Sequence, residues 1–259
     1  MKSLAQNQLK NVRKLLQKKF REEERKFIVE GWRSVEEAML SDWHIEMLIF
    51  SNEHAENENA LKIFSHAEQN NIPFFSISPK EFEQISDTET PQGILAVAHQ
   101  KKMQLTNYDS YNFVVAFDAV SDPGNLGTML RACDWFGVDA ILLGKNCVEL
   151  FNQKVVRASM GSLFHLPIFT DVNLAGELNT LQSKKYRVLS ASVKAKQSLF
   201  SISFPKKTVV LFGNEAHGIS STLENISDTL FSIPQFGKAE SLNVSAACAA
   251  VLAVWRSSL

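Results

Sequence analysis

The chain has 259 residues, 45% hydrophobic and 21% charged, with a net charge of −1, which excludes a disordered, collagen-like or strongly basic chain. The N-terminal stretch lacks the apolar core of a signal peptide, and the longest apolar run, Val244 to Trp255, is too short to span a bilayer, so a cytoplasmic location is expected. The three cysteines, Cys133, Cys147 and Cys248, are odd in number and lack metal-ligand spacing, so they read as free thiols and no metal site is expected.

In chain order, residues 3–19 read as one helix, with Leu4, Leu9, Val12, Leu15 and Leu16 at an approximate 3–4 spacing. Residues 26–30 read as a strand, and Gly31 turns the chain into a helix with Val35, Ala38, Met39 and Leu40 on its apolar side. A strand at 45–50, a helix at 57–69 and a strand at 72–77 follow; Ser78-Pro79 then opens a short helix by the serine-cap and first-turn-proline rule, and 94–98 is a strand. Alternating strands and helices make residues 1–100 a small α/β domain. Residues 101–111 are polar, unpatterned and read as a linker.

The alternation resumes over 112–259. Strands are expected at 113–117, 140–143, 166–169, 187–191, 208–212 and 230–233, and helices at 126–136, 152–159, 173–182, just after Ser220-Ser221, and at 242–255. The runs at 113–117 and 208–212 are continuously apolar, as in a parallel sheet covered on both faces.

Charge is uneven. Residues 1–26 carry nine Lys and Arg against three Glu, a local +6 in a chain of net −1. Such a patch can meet phosphates although the molecule is near neutral, and it is equally what a solvated helix face looks like.

Three loops between a buried strand and a helix carry the unusual chemistry. Ligands of open α/β sheets bind at such strand ends. The first, residues 118–137, has a Pro-Gly turn, then Asn125 near a helix start and Arg131 in an otherwise apolar helix, where it needs a partner. The second, residues 211–220, has Gly213, Asn214, Glu215 and Gly218, where glycine would let a ligand approach the backbone. His217 reads as a surface or structural residue, and the spacing is not the G-x-G-x-x-G of dinucleotide folds. The third, residues 233–256, has Ser241 and Asn243 at the start of a helix lined by small residues.

In order and spacing these loops resemble the three motifs of the SpoU (TrmH-like) branch of the SPOUT superfamily of RNA 2′-O-ribose methyltransferases. N-x-G-x-x-x-R is matched by Asn125, Gly127 and Arg131, and G-x-E-x-x-G by Gly213, Glu215 and Gly218. Ile-Pro followed by Ser-Leu-Asn-Val-Ser is matched by Ile233, Pro234 and residues 241–245. Residues 154–168 are similar to the family's middle region, so the resemblance covers 113–258. Residues 27–39, FIVEGWRSVEEAM, resemble the RNA-binding domain that often precedes the catalytic domain, itself similar to small ribosomal proteins.

The resemblance implies an α/β trefoil-knotted catalytic domain over 112–259 and a small α/β RNA-binding domain over 1–100. It implies a homodimer through the knotted domain and its last helix, with S-adenosyl-L-methionine as cofactor. Gly213, Asn214, Gly218, Ile233 and Leu242 would hold the cofactor. Asn125, Arg131, Glu215, Ser241 and Asn243 would serve catalysis. Lys10, Arg13, Lys14, Lys18, Lys19 and Arg33 would meet RNA. Arginine stays protonated, so Arg131 suits phosphate binding or alkoxide stabilisation better than proton removal. The expected reaction is methylation of a ribose 2′-hydroxyl, with ribosomal RNA favoured over transfer RNA. The alternatives are a tRNA 2′-O-methyltransferase and a non-catalytic RNA-binding protein retaining the fold.

Overall fold

The computed structural model describes residues 2–54, 58–103 and 108–259. The chain forms two compact units, Met1–Lys101 with Glu149–His165, and Lys102–Val148 with Leu166–Leu259. Residues 149–165, placed in the second half by chain order, therefore fold as part of the first unit.

The first unit comprises β1 (Lys2–Ser3), α1 (Gln6–Lys14), α2 (Lys18–Glu24), β2 (Lys26–Glu30), α3 (Trp32–Leu40), β3 (Ile45–Ser51), α4 (Glu58–Gln69), β4 (Phe74–Ile77), α5 (Pro79–Glu83) and β5 (Ile94–His99). Its sheet runs β1-β4-β3-β5-β2, with β5 antiparallel to both neighbours. Ser78 caps α5 through a reciprocal capping box with Glu81, as the serine-proline signal predicts. Residue 57, the expected start of α4, lies outside the described residues.

The single helix expected over 3–19 is in fact two. Leu4, Leu9, Val12 and Leu15 are buried, as the spacing requires, but the helix stops after Lys14. The reason is Arg21, which is 3% exposed. Its Nη1 donates to the Leu15 and Leu16 carbonyls at 2.9 Å each, using acceptors that a continuing helix would need, while Nε donates to Glu149 at 3.0 Å. Leu40 is also corrected: at 66% exposure it is off the apolar side, being turned about 100° beyond Met39. Around the helix Gln153–Ala158, Phe151 packs on Phe27 with ring centroids 4.6 Å apart.

The second unit comprises β6 (Phe113–Phe117), α6 (Pro123–Trp135), β7 (Ala140–Gly144), β8 (Ile168–Val172), α8 (Leu174–Ser183), β9 (Arg187–Ala191), β10 (Gln197–Ser198), β11 (Thr208–Phe212), α9 (Ser221–Ile226), β12 (Thr229–Ser232) and α10 (Val244–Ser257), α7 being the Gln153–Ala158 helix above. The seven strands are all parallel in the order β10-β12-β9-β11-β6-β7-β8. Every residue of β6, β7 and β11 is buried, the pattern of a sheet covered on both faces. β10, two residues long, gives no sequence periodicity and is not foreseen.

α10 packs along α6. Trp255 stacks on Phe113 at 3.5 Å between centroids, and Arg256 Nη2 donates to the Gly137 carbonyl at 3.1 Å. In the stretch read as a linker, residues 104–107 lie outside the described residues, whereas Tyr108–Ser110 form a short turn whose Tyr108 carbonyl accepts the Tyr186 hydroxyl at 2.6 Å. Among the described residues no helix is long and apolar enough to cross a membrane.

Candidate active site

Parallel strands all end at one edge of a sheet, so the loops after β6, β11 and β12 leave the second unit on the same side. The first two are laced together. Asp118 Oδ2 accepts from Ser220 N at 2.9 Å, and Asn214 Nδ2 donates to the Ala119 carbonyl at 2.8 Å. Ala119 adopts φ 57°, a left-handed conformation disfavoured for alanine. Asn214 also closes its own loop: its Oδ1 accepts from Ala216 N and His217 N at 2.9 and 3.1 Å.

Glu215 is the hub. Its Oε1 accepts from Asp122 N at 3.2 Å and Asn125 Nδ2 at 3.1 Å. Its Oε2 accepts from Ser121 N at 3.3 Å and Ser121 Oγ at 3.1 Å. Burial pushes its carboxyl up, but hydrogen bonds from its own backbone, Asn125, Ser121 and Asp122 outweigh this and hold it below its ordinary 4.5. It is therefore ionised at neutral pH, and both oxygens are engaged. A carboxylate so held is a weak base and a good positioning group.

The third loop joins through Asn243, whose Nδ2 donates to Asn125 Oδ1 at 3.0 Å. The same asparagine caps α10, its Oδ1 accepting from Ser245 N at 2.8 Å. Asp122 likewise caps α6 by accepting Asn125 N at 2.7 Å, so the Asp-Pro-Gly-Asn turn is both a helix cap and part of the network. Of the three side chains that touch, Asn243 is thus itself a helix cap, and Asn125 is held at its backbone N–H by another.

The structure brings together Asn125, Glu215 and Asn243, with Asn214 alongside. Arg131 does not join them. It is exposed, and among the described residues no hydrogen bond or ion pair engages its side chain, contrary to the expectation that it needs a partner. Six residues along α6, it projects about 120° around the axis from Asn125. Ser241 and Leu242 are exposed and Ile233 is half-buried. Gly213 also has a reason internal to its loop: a Cβ there would lie 2.2 Å from the Gly218 carbonyl carbon. Gly218 is needed for its φ of +72°. Sequence reasoning missed Asp118, Ala119 and Ser121. Their signal is position, in the loop directly after a buried strand and before the Asn125 motif.

Two family models match the chain. The SpoU rRNA Methylase family matches residues 112–253, and the MRM3-like substrate binding domain matches residues 6–96. The chain belongs to the SpoU rRNA Methylase family. It is 34% identical to the 23S rRNA (guanosine(2553)-2′-O)-methyltransferase RlmP of Bacillus subtilis, over 95% of this chain and 94% of that one. Among solved structures, the AdoMet-bound rRNA methyltransferase from Sinorhizobium meliloti is 29% identical, with a TM-score of 0.85 over 100% of this chain and 97% of that chain. The A. aeolicus TrmH/SpoU tRNA modifying enzyme is 25% identical with a TM-score of 0.51, covering 57% of this chain and 75% of that chain. The SpoU model spans all three loops of the network, and also residues 149–165, which fold with the other compact unit.

Proposed function

We propose that the protein transfers a methyl group from S-adenosyl-L-methionine to a ribose 2′-hydroxyl of 23S ribosomal RNA. The observation that carries this reading is the Asn243–Asn125–Glu215 chain of hydrogen bonds, which ties the three SpoU motifs into one site. The rRNA assignment is supported by similarity to RlmP across nearly the whole chain, substrate-binding part included, whereas similarity to the tRNA modifying enzyme covers little more than half.

The residues at the strand ends fit this cofactor. Half-buried Ile233 and exposed Leu242 offer apolar surface to a nucleoside, the Gly213–Gly218 loop offers backbone groups, and Glu215 contributes a negative charge compatible with a sulfonium. Bound there, the cofactor supplies an activated methyl, so the protein's work is positioning. Asn214 and Gly218 shape the loop, Asn125 and Asn243 orient the ribose with Ser241 beside them, and Arg131 binds the adjoining phosphate or stabilises alkoxide charge.

RNA is gathered by the first unit, with 1–100 the substrate-binding domain, 101–111 the linker and 112–259 the catalytic domain in chain order. Lys10, Arg13 and Lys14 share the exposed side of α1, and Arg33 is exposed on α3. Lys18 and Lys19 are engaged by Glu22 and Glu23 at 3.6 and 3.8 Å, so they contribute less.

The enzyme works in the cytoplasm as a homodimer. Exposed Trp135 on α6 and the small residues Ala246, Ala249, Ala250 and Ala253 of α10 support pairing. The trefoil knot belongs to the same reading, and its support is the SpoU family match over residues 112–253. Tritium transfer from labelled cofactor to a 23S rRNA transcript, then nuclease digestion and mass spectrometry, tests the reaction. A methyl on the ribose is expected; a methyl on a base, or none, sinks it.

A further inference from the structure

Phe236 is 90% exposed, more than any other large apolar side chain described. It lies in the loop from β12 to Asn243. That loop is not slack: Gln235 Nε2 donates to the Gly237 carbonyl at 3.0 Å and the Ala239 carbonyl at 2.8 Å, folding residues 235–239 back on themselves. The ring is thus presented on a closed turn, while folding gains nothing from a phenyl group left in water.

Its surroundings decide between occupants. Gln235, Gly237, Lys238, Ala239, Glu240 and Ser241 are all exposed, so the ring's neighbours along the turn are polar or small; the loop's other exposed large apolar side chain, Leu242, is six residues further on. A protein partner is recognised by a contiguous apolar patch. A single aromatic face beside a cation is what an unpaired nucleobase uses, the ring stacking on the base and the cation meeting a phosphate. The loop ends at Asn243, which donates to Asn125 at 3.0 Å. A base stacked on Phe236 therefore belongs to the nucleotide delivered to that network, or to its neighbour.

We infer that Phe236 is a stacking platform for an unpaired base at or beside the methylated nucleotide, with Lys238 meeting the adjoining phosphate. This rests on the proposed function for the identity of the RNA.

The test is equilibrium binding of full-length protein to an in vitro transcript of the 23S rRNA region around guanosine 2553, the position in the name of the Bacillus relative. Phe236→Ala and Phe236→Leu should each weaken binding about tenfold or more, and Phe236→Tyr should stay near wild type, because stacking needs a π face rather than apolar area. Annealing the transcript to a complementary strand should abolish the difference between wild type and Phe236→Ala. Calorimetry with S-adenosyl-L-methionine and sedimentation should give unchanged values for all variants. Binding of Phe236→Ala or Phe236→Leu at wild-type strength overturns the inference. So does a changed oligomeric mass in Phe236→Ala, which makes the ring a subunit contact. Binding is read without turnover, so a wild-type protein that binds the transcript but transfers no methyl fails the proposed function alone.

Discussion

Asn125 and Glu215 are 90 residues apart in sequence, yet the asparagine amide donates to the carboxylate at 3.1 Å. The single oxygen of the same amide, Oδ1, accepts from Asn243 Nδ2 at 3.0 Å, so one side chain relays the geometry of all three motif loops. Glu215→Ala leaves Ser121 N, Asp122 N and the Asn125 amide without their acceptor and should lower the transfer rate by at least about a hundredfold. Glu215→Gln, which keeps one acceptor oxygen, should fall between. Single-turnover tritium transfer measures both, and a wild-type rate in Glu215→Ala would remove the hub role.

The same carboxylate gives a pH signature. Its folded value lies below the ordinary 4.5, so its contribution to stability is fully present above that pH and is lost as pH falls through the folded value. Urea denaturation of wild type and Glu215→Gln should run parallel from neutrality to about pH 5 and converge below it. Convergence on the alkaline side would mean the sign is wrong.

Gly213→Ala places a methyl 2.2–2.3 Å from the Gly218–Ile219 backbone. Backbone cannot yield as a flexible side chain can, so the loop must open. The expected cost is about 1–3 kcal/mol of stability, with weaker cofactor binding by calorimetry. Wild-type stability together with wild-type cofactor affinity would show that the loop closes differently.

Much of this was legible in the sequence because its signals are local. Continuous apolar runs mark β6 and β11, and Ser78-Pro79 marks α5. Asn125, Glu215 and Asn243 sit in the loops that the motif pattern singles out. What the sequence hid depends on distant partners. The break between α1 and α2 comes from Arg21, which reaches forward to Glu149, and no periodicity in residues 3–19 encodes that. The seating of residues 149–165 with the first unit rests on Phe27 and Phe151 packing across more than a hundred residues. The close approach of the Gly218–Ile219 backbone to Gly213 is likewise invisible in the motif spacing.

Arg21 and Glu149 form a buried ion pair within the first unit, at 4% and 15% side-chain exposure. Removing one partner strands a charge, so Arg21→Ala should destabilise that unit by about 3–5 kcal/mol. Arg21→Met combined with Glu149→Leu should recover a large part of the loss. Thermal denaturation of the two variants is the check, and a double variant no more stable than Arg21→Ala would assign the effect to the Leu15 and Leu16 carbonyls instead.

Arg131 is exposed and carries no internal bond among the described residues, so Arg131→Ala should change stability by less than about 0.5 kcal/mol and leave cofactor binding intact while abolishing transfer. Arg131→Lys should not rescue, since an ammonium lacks the planar fork. The most direct measurement of the central claim is a map of 2′-O-methyl sites in 23S rRNA from a strain lacking this gene. A ribose methyl should be lost, and restored by the wild-type gene but not by Arg131→Ala. An unchanged map, or a methyl lost from a base, would contradict it.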